Sequence, residues 1–161
     1  MKINWWQLWK SAITRQTSSS PAEDIPTAGE LSILEPGEAK DSLITILRAE
    51  VANAKKKKRT VFAYFFADWC PPCRKLRQSL DHPLMVAAFA GTHIVKLNAD
   101  KWGQEAQTAG FQIVSVPAFF ALNASGHPTD RVDGDAWGDN TAENMAGPLG
   151  AFFRRHGSGP S

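Results

Sequence analysis

Cysteine is nearly absent from this chain: there are 2 in 161 residues, Cys70 and Cys73, with two prolines between them. A loop that small gives a disulfide almost nothing to constrain, so a stabilising framework is excluded and the pair must serve chemistry or metal. Long apolar runs are missing as well, and none approaches the roughly eighteen consecutive apolar residues of a transmembrane helix. A cleavable leader is not visible either. After Lys2 the segment Ile3-Asn4-Trp5-Trp6-Gln7-Leu8-Trp9-Lys10 is broken by polar residues too often to form its apolar region. No internal repeat is found. Charge of either sign is not in excess: 18 Lys and Arg face 16 Asp and Glu, a net +2. That balance does not describe a nucleic-acid binder or a membrane-coating chain. The small surplus is confined to residues 1–59, with ten basic against seven acidic residues, whereas residues 60–161 have eight against nine.

An apolar share of 43%, with nine Phe and six Trp, is that of a globular protein, and the length suits one domain with extensions. Residues 1–16 form an expected amphipathic N-terminal helix. Within 4–15, Trp5, Trp6, Leu8, Trp9, Ala12 and Ile13 fall on one arc and the polar residues opposite. That face suits either a membrane interface, as a peripheral contact, or a protein surface. Residues 17–37, rich in Ser, Thr and Pro at their start, are expected to be a flexible linker. A main domain follows over 38–155, and 156–161 is expected to be a disordered tail.

Within the domain, apolar residues recur at helical spacing from Glu38 to about Lys57, and the cationic run Lys55–Arg59 suits the last turn of that helix. Thr60 to Ala67 (TVFAYFFA) is almost wholly apolar and rich in β-formers, as a strand buried on both faces would be. It runs into Asp68-Trp69-Cys70-Pro71-Pro72-Cys73 and a helical stretch to Leu80. A short helix at Leu84–Ala90, a strand at His93–Asn98, a helix at Lys101–Ala109, a hairpin of Pro117–Leu122 with Thr129–Val132, and a helix at Thr141–Arg155 complete the pattern. The order implies an α/β fold, a central mixed sheet flanked by helices on both faces, with the helical extension in front.

A C-x-x-C pair at a strand-to-helix junction is the arrangement that dithiol chemistry needs. Unpaired N–H groups and the dipole at the helix N-terminus favour a thiolate on the first cysteine, and the thiolate is the attacking species. Two intervening residues bring the second sulfur one turn round, where it can resolve a mixed disulfide. Pro71 fits the first helical position, which loses nothing by lacking an N–H. Pro72 removes a further backbone donor from the neighbourhood of Cys70. The alternative is half of a zinc site, which would need two more ligands. No other cysteine exists, and His82, His93, His127 and His156 lack ligand spacing, so neither a metal nor another cofactor is expected.

Phe66-Ala67-Asp68-Trp69-Cys70-Pro71-Pro72-Cys73, Lys96-Leu97-Asn98-Ala99-Asp100, Val116-Pro117 before an apolar strand, and Gly134 after the hairpin resemble, in that order, the thioredoxin family. The resemblance covers roughly residues 40–155. The A-D-W-C form with Asp81-His82-Pro83 after the helix is most similar to the C-terminal thioredoxin-like domain of DsbD-type interchange proteins. It implies a thioredoxin fold in which Cys70 is the nucleophile and Cys73 the more buried, resolving thiol. It also implies that Trp69, Val116 and a cis Pro117 form the substrate platform. Where many thioredoxins have a buried acid six residues before the first cysteine, this chain has Tyr64. Lys96 matches the family lysine near that position, a tuning role, and Asp68 is expected to be exposed and able to serve through water.

The function implied is thiol–disulfide exchange, in the reducing direction, on disulfide-containing proteins, with a separate electron-donor reductase regenerating the dithiol. The alternative is a non-catalytic thioredoxin-fold module docked through its Trp-rich N-terminal helix. No nucleic-acid partner is expected. Taken literally, the N-terminus implies a cytoplasmic location with a peripheral membrane option, whereas the resemblance points to a periplasmic or envelope one.

Overall fold

A computed structural model describes residues 31–38 and 40–157. Five strands form one mixed sheet in the order β1-β3-β2-β4-β5. They are β1 (Ser32–Leu34), β2 (Thr60–Phe66), β3 (Thr92–Asn98), β4 (Ala118–Leu122) and β5 (Pro128–Asp133). The helices are α1 (Leu43–Lys56), α2 (Pro71–Ser79), α3 (Pro83–Ala88), α4 (Ala99–Thr108) and α5 (Ala142–His156). Strands β1 and β2 both run parallel to β3, while β2–β4 and β4–β5 pair antiparallel. This is the expected mixed sheet with helices on both faces.

Strand β2 explains the layering. Its side chains alternate between faces, and all of Val61 to Phe66 are buried. Phe62, Tyr64 and Phe66 join Phe119, Leu76, Phe89 and Phe153 in one core. Val61, Ala63 and Phe65 join Leu43, Leu47, Phe111 and Phe120 in the other. A strand covered on both sides has no polar face, which is why its sequence shows no alternation.

Helix starts follow local chemistry. Ser42 caps α1 by accepting from the Thr45 N–H at 3.3 Å, so the helix begins at Leu43 rather than at Glu38. His82 caps α3, accepting from the Leu84 N–H at 3.2 Å, with Pro83 at the first helical position. Asn98 and Thr141 cap α4 and α5 in the same way.

Two expected boundaries differ. Residues 32–34, inside the expected linker, are an edge strand, because the open side of β3 supplies hydrogen-bond partners for an extended segment. Ser32 Oγ also lies 2.9 Å from His93 Nδ1. At the other end His156 is not tail but the last residue of α5, its Nε2 2.7 Å from Asp130 Oδ2. That bond holds the Asp130 carboxyl below its usual range. The expected helix over 1–16 and residues 158–161 lie outside the described residues.

The β4–β5 turn abuts α1 so closely that a side chain is excluded at Gly126. This residue has φ +84°, and a Cβ there would stand 2.8 Å from the Arg48 backbone nitrogen. Gly126→Ala combines a left-handed alanine with a backbone collision, and should cost roughly 2–4 kcal/mol in denaturant unfolding. A loss under about 0.5 kcal/mol, ordinary for surface changes, would contradict this packing.

Candidate active site

Strand β2 ends at Phe66, and after three intervening residues the chain reaches Cys70, the N-cap of α2. Pro71 and Pro72 occupy the first two helical positions. Cys70 and Cys73 are joined by a disulfide, their Cα atoms 5.3 Å apart. The Cys73 N–H donates to Cys70 Sγ at 3.2 Å, so the donor that Pro72 lacks is supplied one residue later. Such a bond stabilises negative charge on Cys70 when the pair is reduced. Exposure does not separate the two sulfurs as the family resemblance implies. Cys70 is 2% exposed and Cys73 4%, because both pack into the same core. Their surroundings do separate them. Cys70 Sγ stands 3.5 Å from the Val116 carbonyl oxygen, next to the cis Val116–Pro117 bond. Cys73 instead lines a cavity on the inner side.

Trp69 is 66% exposed beside Cys70. Its indole N–H donates to Asp100 Oδ2 at 3.0 Å, fixing the ring without burying it. Trp69, Cys70 and Val116 thus flank one rim, while Cys73, Asp68 and Lys96 meet at the cavity behind it. Asp68 is exposed and accepts from Asn98 Nδ2 at 3.3 Å.

That cavity, about 260 Å³, has walls of Phe66, Leu76, Phe89 and Phe119. Arg74, Arg77, Lys96, Glu35 and Asp68 add charge to its lining. Tyr64 lies in it too, stacked on Phe119 with ring centroids 4.5 Å apart. Burial pushes the Tyr64 phenol well above the usual tyrosine range, against a smaller opposing pull from Arg77. Lys96 is only 20% exposed, 4.3 Å over the Phe66 ring and 3.8 Å from Glu35 Oε2. Glu35 is the site residue that sequence reasoning misses. The strand that brings it spans three residues, too few for a periodic signal.

Among the described residues no group of three or more His, Cys, Asp or Glu is placed to hold a metal ion. His93 contacts Glu50 and Ser32, and His156 contacts Asp130, each away from the cysteines. No described helix is long and apolar enough to cross a membrane.

Residues 47–144 match the family described as the thioredoxin-like domain, which is more than half of the chain. This chain belongs to the thioredoxin-like domain family. Its thioredoxin-like domain is 34% identical over 67 residues to a thioredoxin of Streptomyces clavuligerus. The match takes in 41% of this chain and 58% of that protein, so the chain spans a little over half the length of that curated relative. Solved structures with the same fold include a disulphide isomerase from Xylella fastidiosa Temecula1. It has 23% identity and a TM-score of 0.54, over 76% of this chain and 96% of that one. A thioredoxin from Nicotiana alata is 20% identical with a TM-score of 0.50, over 81% of this chain and 98% of the other. The thioredoxin-like domain therefore carries its cysteine pair where the fold joins β2 to α2, with Tyr64 facing the inner cysteine's cavity.

Tyr64 is the sole tyrosine, so ultraviolet phenolate absorbance reports on it alone. Its raised pKa favours the neutral phenol in the folded state. That stabilisation is complete below the unfolded value of about 10 and is lost as pH rises above it. Alkaline titration should show no phenolate until the fold opens, with both signals changing together. A phenolate inflection near pH 10 in protein that circular dichroism still finds folded would refute this environment.

Proposed function

We propose that this chain is a thiol–disulfide oxidoreductase acting on protein disulfides, with the reducing direction favoured. The observation that carries the reading is the Cys73 N–H donating to Cys70 Sγ at the start of α2. It gives the first sulfur, and not the second, a donor for a thiolate. In the reducing direction the Cys70 thiolate attacks one substrate sulfur. The substrate S–S bond breaks, its other sulfur leaves as a thiolate, and a Cys70–substrate disulfide forms. Cys73 then loses its proton and attacks Cys70 Sγ. The mixed disulfide breaks, the second substrate thiolate departs, and the Cys70–Cys73 disulfide forms. The dithiol gives up two electrons, the substrate gains two, and a separate dithiol donor must restore the pair.

Trp69 and the Val116–Pro117 segment are proposed as the platform on which an extended substrate lies. An exposed aromatic ring and free backbone groups beside the attacking sulfur suit a peptide strand. Asp68 and Lys96, at the cavity of Cys73, are proposed to tune the second step. The reducing preference rests on the likeness of the motif to DsbD-type interchange domains. On the same likeness an envelope location is proposed, which fractionation of expressing cells tests.

Insulin reduction with dithiothreitol as donor tests the reading. The wild-type chain should accelerate precipitation, and Cys70→Ser should return the rate to the uncatalysed background. Cys73→Ser should accumulate a covalent complex with substrate that non-reducing electrophoresis displays. Equal rates for wild type and Cys70→Ser would sink the oxidoreductase reading and leave a binding module.

A further inference from the structure

The resolving step needs a base for the Cys73 thiol, and the nearest position on β2 cannot supply one. Tyr64 stands there as a buried neutral phenol that donates protons and does not accept them at neutral pH. The acids lining the cavity of Cys73 are Asp68 and Glu35. Both are exposed, Glu35 with 55% of its side chain accessible, and Asp68 is already engaged by Asn98. Glu35 arrives differently, through sheet register. Leu34 pairs with Val95, so the next residue, Glu35, comes level with Lys96, and Lys96 is itself paired with Tyr64 and Tyr64 with Phe119. Four residues thus form one row across the sheet, on the face that carries the cavity. The Lys96 ammonium, held over the Phe66 ring, fixes the Glu35 carboxylate at 3.8 Å.

We propose that Glu35, delivered by the edge strand β1 and positioned by Lys96, accepts the Cys73 proton through water in the cavity when Cys73 resolves the mixed disulfide. The inference rests on the oxidoreductase reading above. Two strand spacings, roughly 10 Å, separate β1 from β2, and the cavity that Glu35 and Cys73 both line spans that width. A cavity of about 260 Å³ has room for several waters, and the charged groups of its lining give them partners. The titratable and charged groups that line the cavity with Cys73 are Glu35 just after β1, Tyr64 from β2, Lys96 from β3, Arg74 and Arg77 from α2, and Asp68 from the loop. In the step itself the proton passes from Cys73 Sγ to a Glu35 carboxylate oxygen. The Cys73 electron pair forms the new S–S bond, and the substrate sulfur leaves with the pair of the broken bond. Glu35 is a positioning residue for a proton and does not touch the substrate.

The test is single-turnover reaction of the reduced full chain with oxidised glutathione, quenched in acid and resolved by mass spectrometry into reduced, mixed-disulfide and oxidised protein. Glu35→Gln should form the mixed disulfide within about twofold of the wild-type rate. Its decay should slow by roughly ten- to a hundredfold, up to the lower end of a general base's contribution. Glu35→Asp, which keeps the carboxylate, should restore part of the decay rate, and Glu35→Ala should not. Decay unchanged in Glu35→Gln would overturn the role of Glu35 while leaving the oxidoreductase reading intact. Absence of both mixed disulfide and oxidised protein in the wild type would overturn both.

Discussion

Strand β2 is buried on its two faces at once, and the remaining structure is arranged around that demand. Six consecutive side chains, Val61 to Phe66, are withdrawn from water. Full burial of a large apolar side chain is worth about 1.5–3 kcal/mol. Neither face can be left open, so α1 and α4 cover one and α2, α3 and α5 the other. The backbone of β2 must also be paired on both edges, and β3 and β4 do so in opposite directions. The cysteine pair inherits its rigidity from this arrangement, because it follows a strand that cannot shift by one residue without exchanging every side chain between two packed cores.

The same strand governs the chemistry behind Cys73. An aromatic row of Tyr64, Phe119 and Phe66 keeps the cavity apolar and holds the phenol neutral. A carboxylate at position 64 would need a partner in that setting, since an isolated buried charge is costly. Charge is instead brought in from the edges: Lys96 from β3, Glu35 from beyond β1, and the two arginines from α2. Polarity at the rim with an apolar floor leaves the inner sulfur dry on one side and within reach of water on the other.

Much of this was legible in the chain. The apolar run of β2, the capping residues and the proline pair announce themselves within a few residues, because their causes are local: alternation, cap hydrogen bonds and fixed φ angles. Strand β1 was not legible. Three residues carry no usable period, and a Ser- and Pro-containing segment just before them has the composition of a linker. It becomes a strand only because β3 offers an open edge. The start of α1 is illegible for a related reason: the segment before it has helical composition, yet Ser42 is itself extended and caps the helix, which begins at Leu43.

The sequence by itself determined that a strand runs into a dithiol helix, that two faces of that strand need cover, and that no acid stands six residues before the first cysteine. Those properties depend on neighbours along the chain. Only the tertiary structure decided what surrounds each sulfur. The Val116 carbonyl beside Cys70, the equal burial of the two cysteines, and the level row of Glu35, Lys96 and Tyr64 all join residues far apart in sequence. Register between strands sets such contacts, and register is a property of the folded sheet that no local pattern encodes.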